Sequence, residues 1–135
     1  MSQYSTARRA YAESTIMTAS PEQLVVMLYE GAIRFLRQSA EAMRRGDRER
    51  ARNRMRASEA IIDELNGSLD MSYGEIPTHL RSLYFFCKRL LIKANVEQHP
   101  ESIDAVVKLL SELHEAWVEV GRSSSSSPSS SAPAA

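Results

Sequence analysis

The sequence predicts an all-α fold, an antiparallel up-down-up-down four-helix bundle with a short N-terminal arm. Four stretches of about 20 residues carry apolar side chains at helical spacing, each long enough for a helix of about 30 Å. Three short connections join them, so successive helices return antiparallel. The first stretch is also too apolar to be covered by a single neighbour. The chain divides into an arm over 1–17, the bundle over 18–121, and a Ser/Pro/Ala tail over 122–135.

The arm, MSQYSTARRAYAESTIM, has weak helical character. Tyr4, Tyr11, Ile16 and Met17 give it aromatic and β-branched content that plain disordered termini lack, which predicts that it docks.

The first helix opens with strong start signals. Ser20 suits the N-cap, Pro21 the first turn, and Gln23 the third position of a capping box. Leu24, Met27, Leu28, Gly31, Ala32 and Phe35 form one stripe, and Val26, Tyr29, Ile33 and Leu36 a second beside it. An ordinary surface helix carries an apolar band of roughly 100°. This one must therefore be covered on two sides, and the second stripe is a candidate partner face.

Gly46 followed by Asp47 ends that helix near Arg45 and caps the next. The second helix runs to about Leu65 with a narrow seam of Ala51, Met55, Ser58, Ile61, Ile62 and Leu65, which makes it the most exposed. Its outer positions carry Arg48, Arg50, Arg52, Arg54 and Arg56, next to Arg44 and Arg45. These alternate around the helix among Asp47, Glu49 and Glu59 and have no stacking aromatics among them. A solvated face accounts for them better than an RNA site.

Asn66 to Ile76 is turn chemistry, whose Leu69, Met71, Tyr73 and Ile76 can plug one end of the bundle. Pro77 opens the third helix, with a core stripe of Leu80, Leu83, Tyr84, Cys87, Leu90, Leu91 and Ala94. Opposite stands a second apolar line, Phe85, Ile92 and Val96, flanked by Arg81, Lys88 and Arg89. After a short link, Pro100 starts the fourth helix, whose face is Ile103, Val106, Val107, Leu110, Leu113, Trp117 and Val120. Gly121 is its expected end, and the Ser-rich tail beyond is too polar to order itself.

Composition excludes several functions. Lys+Arg and Asp+Glu both number 17, so no overall field steers the chain to nucleic acid or an acidic membrane. No apolar run reaches the roughly 20 residues of a membrane span, and Arg8 and Arg9 are not followed by a signal-peptide core. The expected location is cytoplasmic. The single Cys87 falls in an apolar stripe and reads as a reduced core thiol, not a nucleophile. His79, His99 and His114 lack the Glu-x-x-His spacing of bundle metal sites, and the glycines are scattered singly, without a phosphate loop. The expectation is a protein that is not an enzyme and carries no metal or cofactor. Any partner is found by shape and apolar surface.

TASPEQLVVMLYEGAIRFLRQSAEAM over 18–43, SLYFFCKRLLIKAN over 82–95 and ELHEAWVEV over 112–120 resemble the FliS family of flagellin export chaperones. The resemblance extends from about Tyr4 to Val120. It departs at the basic Arg8 and Arg9 of the arm and in the Ser-rich tail. What it implies is a cytoplasmic four-helix bundle, largely monomeric alone, that binds the C-terminal segment of flagellin in near-equimolar ratio. The segment folds into helix as it wraps the bundle. It is thereby kept from polymerising and fit for the type III export gate, a further implied partner. The two surplus apolar lines nominate Val26, Tyr29, Ile33, Phe85, Ile92 and Val96 as the groove. The family's mobile arm nominates Tyr11, Ile16 and Met17 as its lid. The rival reading is a self-associating structural bundle with no client.

Overall fold

The computed structural model describes residues 20–134, with side chains to residue 123. Four helices follow one another, α1 (Pro21–Arg44), α2 (Arg48–Gly67), α3 (Glu75–Glu97) and α4 (Pro100–Ala134), with a 3₁₀ turn at Met71–Tyr73 between α2 and α3. α1 packs against α2 and α4, and α3 lies between α4 and α2, so chain neighbours are also spatial neighbours around an antiparallel bundle.

The helix ends follow from local chemistry. The Ser20 hydroxyl accepts the Gln23 N–H at 3.1 Å, while the Gln23 side chain accepts the Ser20 N–H at 2.8 Å, closing the capping box. At the far end Gly46 takes a φ of 80°. The Gly46 N–H then reaches the Met43 carbonyl at 3.1 Å and the Asp47 N–H the Ala42 carbonyl at 2.9 Å, the paired bonds of a Schellman stop. Asp47 at once accepts the Arg50 N–H at 3.1 Å and starts α2. Two residues therefore reverse the chain. After α2, Asp70 holds the 3₁₀ turn through the Ser72 N–H, and Gly74 at φ 89° turns the backbone into α3.

Two boundaries differ from expectation. α3 begins at Glu75, two residues ahead of Pro77, because Gly74 rather than the proline sets its start. α4 continues through Gly121 to Ala134. The only glycines with positive φ among the described residues are Gly46 and Gly74, so Gly121 lacks the left-handed geometry that would make it a stop.

The interior gathers Ala32, Leu36, Ile62, Leu65, Leu91, Ile103, Val106 and Leu110, all essentially inaccessible. Small residues let the helices approach. The buried Ser39 hydroxyl donates to the Ala51 carbonyl of α2 at 2.6 Å, and a Cβ on Gly31 would meet Ile61 Cδ1 at 3.2 Å. The broad apolar arc of α1 is explained by this arrangement. Its Gly31 and Phe35 side faces α2, where Ile61 and Arg54 lie against it. Its Tyr29 and Ile33 side turns into the core. Two bundle neighbours cover most of it, leaving Met27 exposed and Val26 half-buried.

Candidate functional site

α3 buries Tyr84, Cys87, Leu91 and Ala94. That narrow seam repeats by three and four residues and occupies one side of the helix. At 100° per residue, Phe85, Ile92 and Val96 fall about 100° or more away from it. They are 43%, 58% and 75% exposed. Phe86, also exposed, stands further round. Cations border this line. The Arg81 guanidinium lies 5.6 Å from the centre of the Phe85 ring, and that of Arg89 5.8 Å from the Phe86 ring. Lys88 reaches Asp63 of α2 at 2.6 Å.

The nominated α1 residues lie elsewhere. Tyr29 is completely buried, Ile33 nearly so, and Val26 half-buried. The Tyr29 and Tyr84 hydroxyls are hydrogen-bonded at 2.6 Å. Burial raises both phenols above the usual tyrosine range. Tyr29, Ile33 and Leu36 of the second α1 stripe are thus core, not groove wall, while Val26 stands outside the core cluster. The Tyr29 and Ile33 side chains are large enough to fill the space between three helices, which periodicity alone cannot distinguish from an open face. The nominated lid residues, Tyr11, Ile16 and Met17, lie outside the described residues.

One feature of the surface had no forecast. The segment expected to plug the bundle end instead rims an open cavity of about 410 Å³, bounded by Val25, Leu69, Tyr73, Ile76, Leu80 and Trp117. Tyr73 and Ile76 remain 76% and 72% exposed. The signal available in the sequence was the run of apolar residues in a turn, Leu69, Met71, Tyr73 and Ile76. Of these, Leu69 packs against the core, and Met71, Tyr73 and Ile76 stay exposed. The arm joins α1 at Ser20, little more than a turn from Val25 on this rim.

Cys87 is buried and its thiol is pushed up to about 11 by desolvation, so it is a poor nucleophile. Among the described residues there is no group of three or more His, Cys, Asp or Glu side chains able to hold a metal, and no helix long and apolar enough to cross a membrane. His114 bridges α4 to Glu30 of α1 at 3.1 Å. Arg34 and Arg54 both stack over Phe35, so part of the arginine set is used within the bundle.

Comparison with known proteins adds a family. A family model described as flagellar protein FliS matches residues 3–124. The flagellar secretion chaperone FliS of Salmonella typhimurium is 36% identical over 118 residues, covering 83% of this chain and 87% of the relative. The protein of the same name from Campylobacter jejuni is 36% identical over 115 residues, covering 84% and 90%. That of Bacillus subtilis is 30% identical over 108 residues, covering 80% of each.

Proposed function

From the premise that this chain belongs to the FliS family of flagellar proteins, we propose that it is a cytoplasmic export chaperone for flagellin. Its client is the C-terminal segment of flagellin, bound in about equimolar ratio. Held on the bundle, that segment is withheld from polymerisation and kept fit for flagellar type III secretion, with the export gate as a second partner. The observation that carries this reading is the exposed line Phe85, Ile92 and Val96 on a bundle whose core is already complete without it. An amphipathic helix laid into such a surface is a recurring recognition mode. The open cavity beside Tyr73 and Ile76 offers a second apolar anchorage for the same extended client. A client that folds on binding covers a long surface at moderate affinity.

Titrating the full chain with a flagellin C-terminal peptide tests the proposal. Circular dichroism of the mixture is expected to exceed the sum of the components, with saturation near one peptide per chaperone. Saturable binding without added helix would defeat coupled folding, and no binding at all would defeat the client assignment. Light scattering of the free protein separates the alternative, since a self-associating structural bundle would be an obligate oligomer.

The arm before Thr18 is proposed as a lid on this surface, through Tyr11, Ile16 and Met17. A lid lowers apparent affinity by the fraction of molecules it leaves open. If the surface is free about a tenth of the time, deleting residues 1–17 tightens binding roughly tenfold, mainly through faster association. Weaker binding after deletion would make the arm a clamp on the client.

A further inference from the structure

The chain is neutral overall, with 17 basic and 17 acidic residues, yet the fold separates the two signs. From Pro77 to Val96, α3 contains Arg81, Lys88, Arg89 and Lys93 and no Asp or Glu. On the helix surface Arg81 and Lys88 fall on the α2 side of the Phe85–Ile92–Val96 line, and Arg89 and Lys93 on the other. Across the adjoining cleft, Arg52 and Arg56 of α2 stand against Ile92 and Asn95. Lys88 is held by Asp63, and Glu59 is the one carboxylate lining this cleft, within electrostatic reach of Lys88 and Arg56. Arg52, Arg56, Arg81, Arg89 and Lys93 have no ion-pair partner among the described residues. Meanwhile Glu112, Glu115 and Glu119 are exposed on α4.

We infer that this face selects an amphipathic helix with an acidic rim, whose apolar stripe covers Phe85, Ile92 and Val96 while carboxylates on both edges meet the two cationic borders. The inference rests on the proposal that a client docks on α3 as a helix, and adds which helices are accepted. Opposite charges across an interface accelerate encounter and fix register, whereas like charges exclude wrong partners. A nucleic acid would satisfy the cations but leave the aliphatic Ile92 and Val96 uncovered.

Three designed helical peptides with the same Leu/Ala stripe and Glu, Gln or Lys on both rims test this against the full-length protein. The Glu-rimmed peptide is expected to bind about tenfold more tightly than the Gln-rimmed one at low salt, the sum of several partly exposed ion pairs. The advantage should vanish near 1 M salt, where the Debye length is about 3 Å. The double variant Arg81→Glu, Arg89→Glu, checked for native helix content, should lose the Glu preference and retain the Gln-rimmed peptide. Equal binding of the Glu and Gln peptides at low salt, or a preference that survives the double variant, overturns the acidic rim and leaves helix docking intact. If none of the three binds, helix docking on α3 is itself overturned. A single-stranded oligonucleotide that outcompetes the Glu-rimmed peptide also overturns the inference, in favour of a polyanion site.

Discussion

The hydroxyls of Tyr29 and Tyr84 meet at 2.6 Å across the diagonal of the bundle, tying α1 to α3, two helices that are not chain neighbours. Both side chains are buried; Tyr29 is also hydrogen-bonded by Trp117, whereas the Tyr84 hydroxyl relies on Tyr29. Tyr29→Phe should therefore destabilise by about 1–3 kcal/mol, because the buried Tyr84 hydroxyl is left alone, and Tyr84→Phe should cost less, because Trp117 still serves Tyr29. The double Phe variant should cost clearly less than the two singles added together. Urea unfolding of the four proteins checks this, and strict additivity would show that the pair is not coupled.

Core and surface on α3 should separate by mutation. Leu91→Ala removes a fully buried side chain and is expected to cost about 2–5 kcal/mol of stability. Phe85→Ala, Ile92→Ala and Val96→Ala act on exposed side chains and should leave stability nearly unchanged. In the proposed complex each should weaken flagellin binding by about 1–3 kcal/mol. A Phe85→Ala variant as unstable as Leu91→Ala would place that ring in the core.

Alkaline pH should destabilise the fold earlier than exposed groups would suggest. Burial raises the Cys87 thiol from 9.0 to about 11. In the unfolded chain the thiol ionises first, so the unfolded state binds fewer protons and stability falls as pH rises from about 9 to about 11. The loss is on the order of 2–3 kcal/mol, with Tyr29 and Tyr84, raised from 10.0, adding to it from about pH 10 upward. Thermal melts at pH 8 to 11, compared with Cys87→Ala, test the thiol's share. An identical pH dependence in that variant would remove Cys87 from the account.

Gly31 marks the close approach of α1 and α2. An added Cβ would lie 3.2 Å from the flexible end of Ile61. Gly31→Ala gains helix propensity of roughly 1 kcal/mol against mild crowding, so melting should shift little. Gly31→Leu has no such room and should destabilise by about 1–3 kcal/mol. A Leu variant as stable as the Ala variant would show that α2 yields freely at this point.

Gln98 ends α3 with a φ of 52°, among the described residues the only non-glycine in the left-handed region. The His99 N–H closes onto the Ala94 carbonyl at 2.9 Å, which holds that geometry in place. Gln98→Gly should stabilise by about 0.5–1 kcal/mol, less the Gln98 side-chain bond to the Asn95 carbonyl at 2.8 Å. An unchanged or lower melting temperature would mean that this side-chain bond outweighs the backbone strain.

The helices, their order and the start and end of α1 were legible in the sequence because they rest on local chemistry. Ser20 with Gln23 and Gly46 with Asp47 act within a few residues of themselves, and helical spacing of apolar side chains needs no partner to be recognised, whereas Gly74 rather than Pro77 starts α3. The α3 line was legible for a similar reason, since Tyr84, Cys87, Leu91 and Ala94 already supply the seam that a bundle helix needs. What periodicity cannot give is the number of neighbours covering a helix. α1 carries two apolar stripes because α2 and α4 both lie against it, and only the packing turns Tyr29 and Ile33 inward. The open cavity at Tyr73 and Ile76, and the placing of Arg52 and Arg56 of α2 across from Ile92, were likewise decided by tertiary structure. A side chain's solvent exposure and a face's net charge depend on which residues distant in sequence the fold brings beside it, and neutral composition conceals a segregation that arises only when the helices assemble.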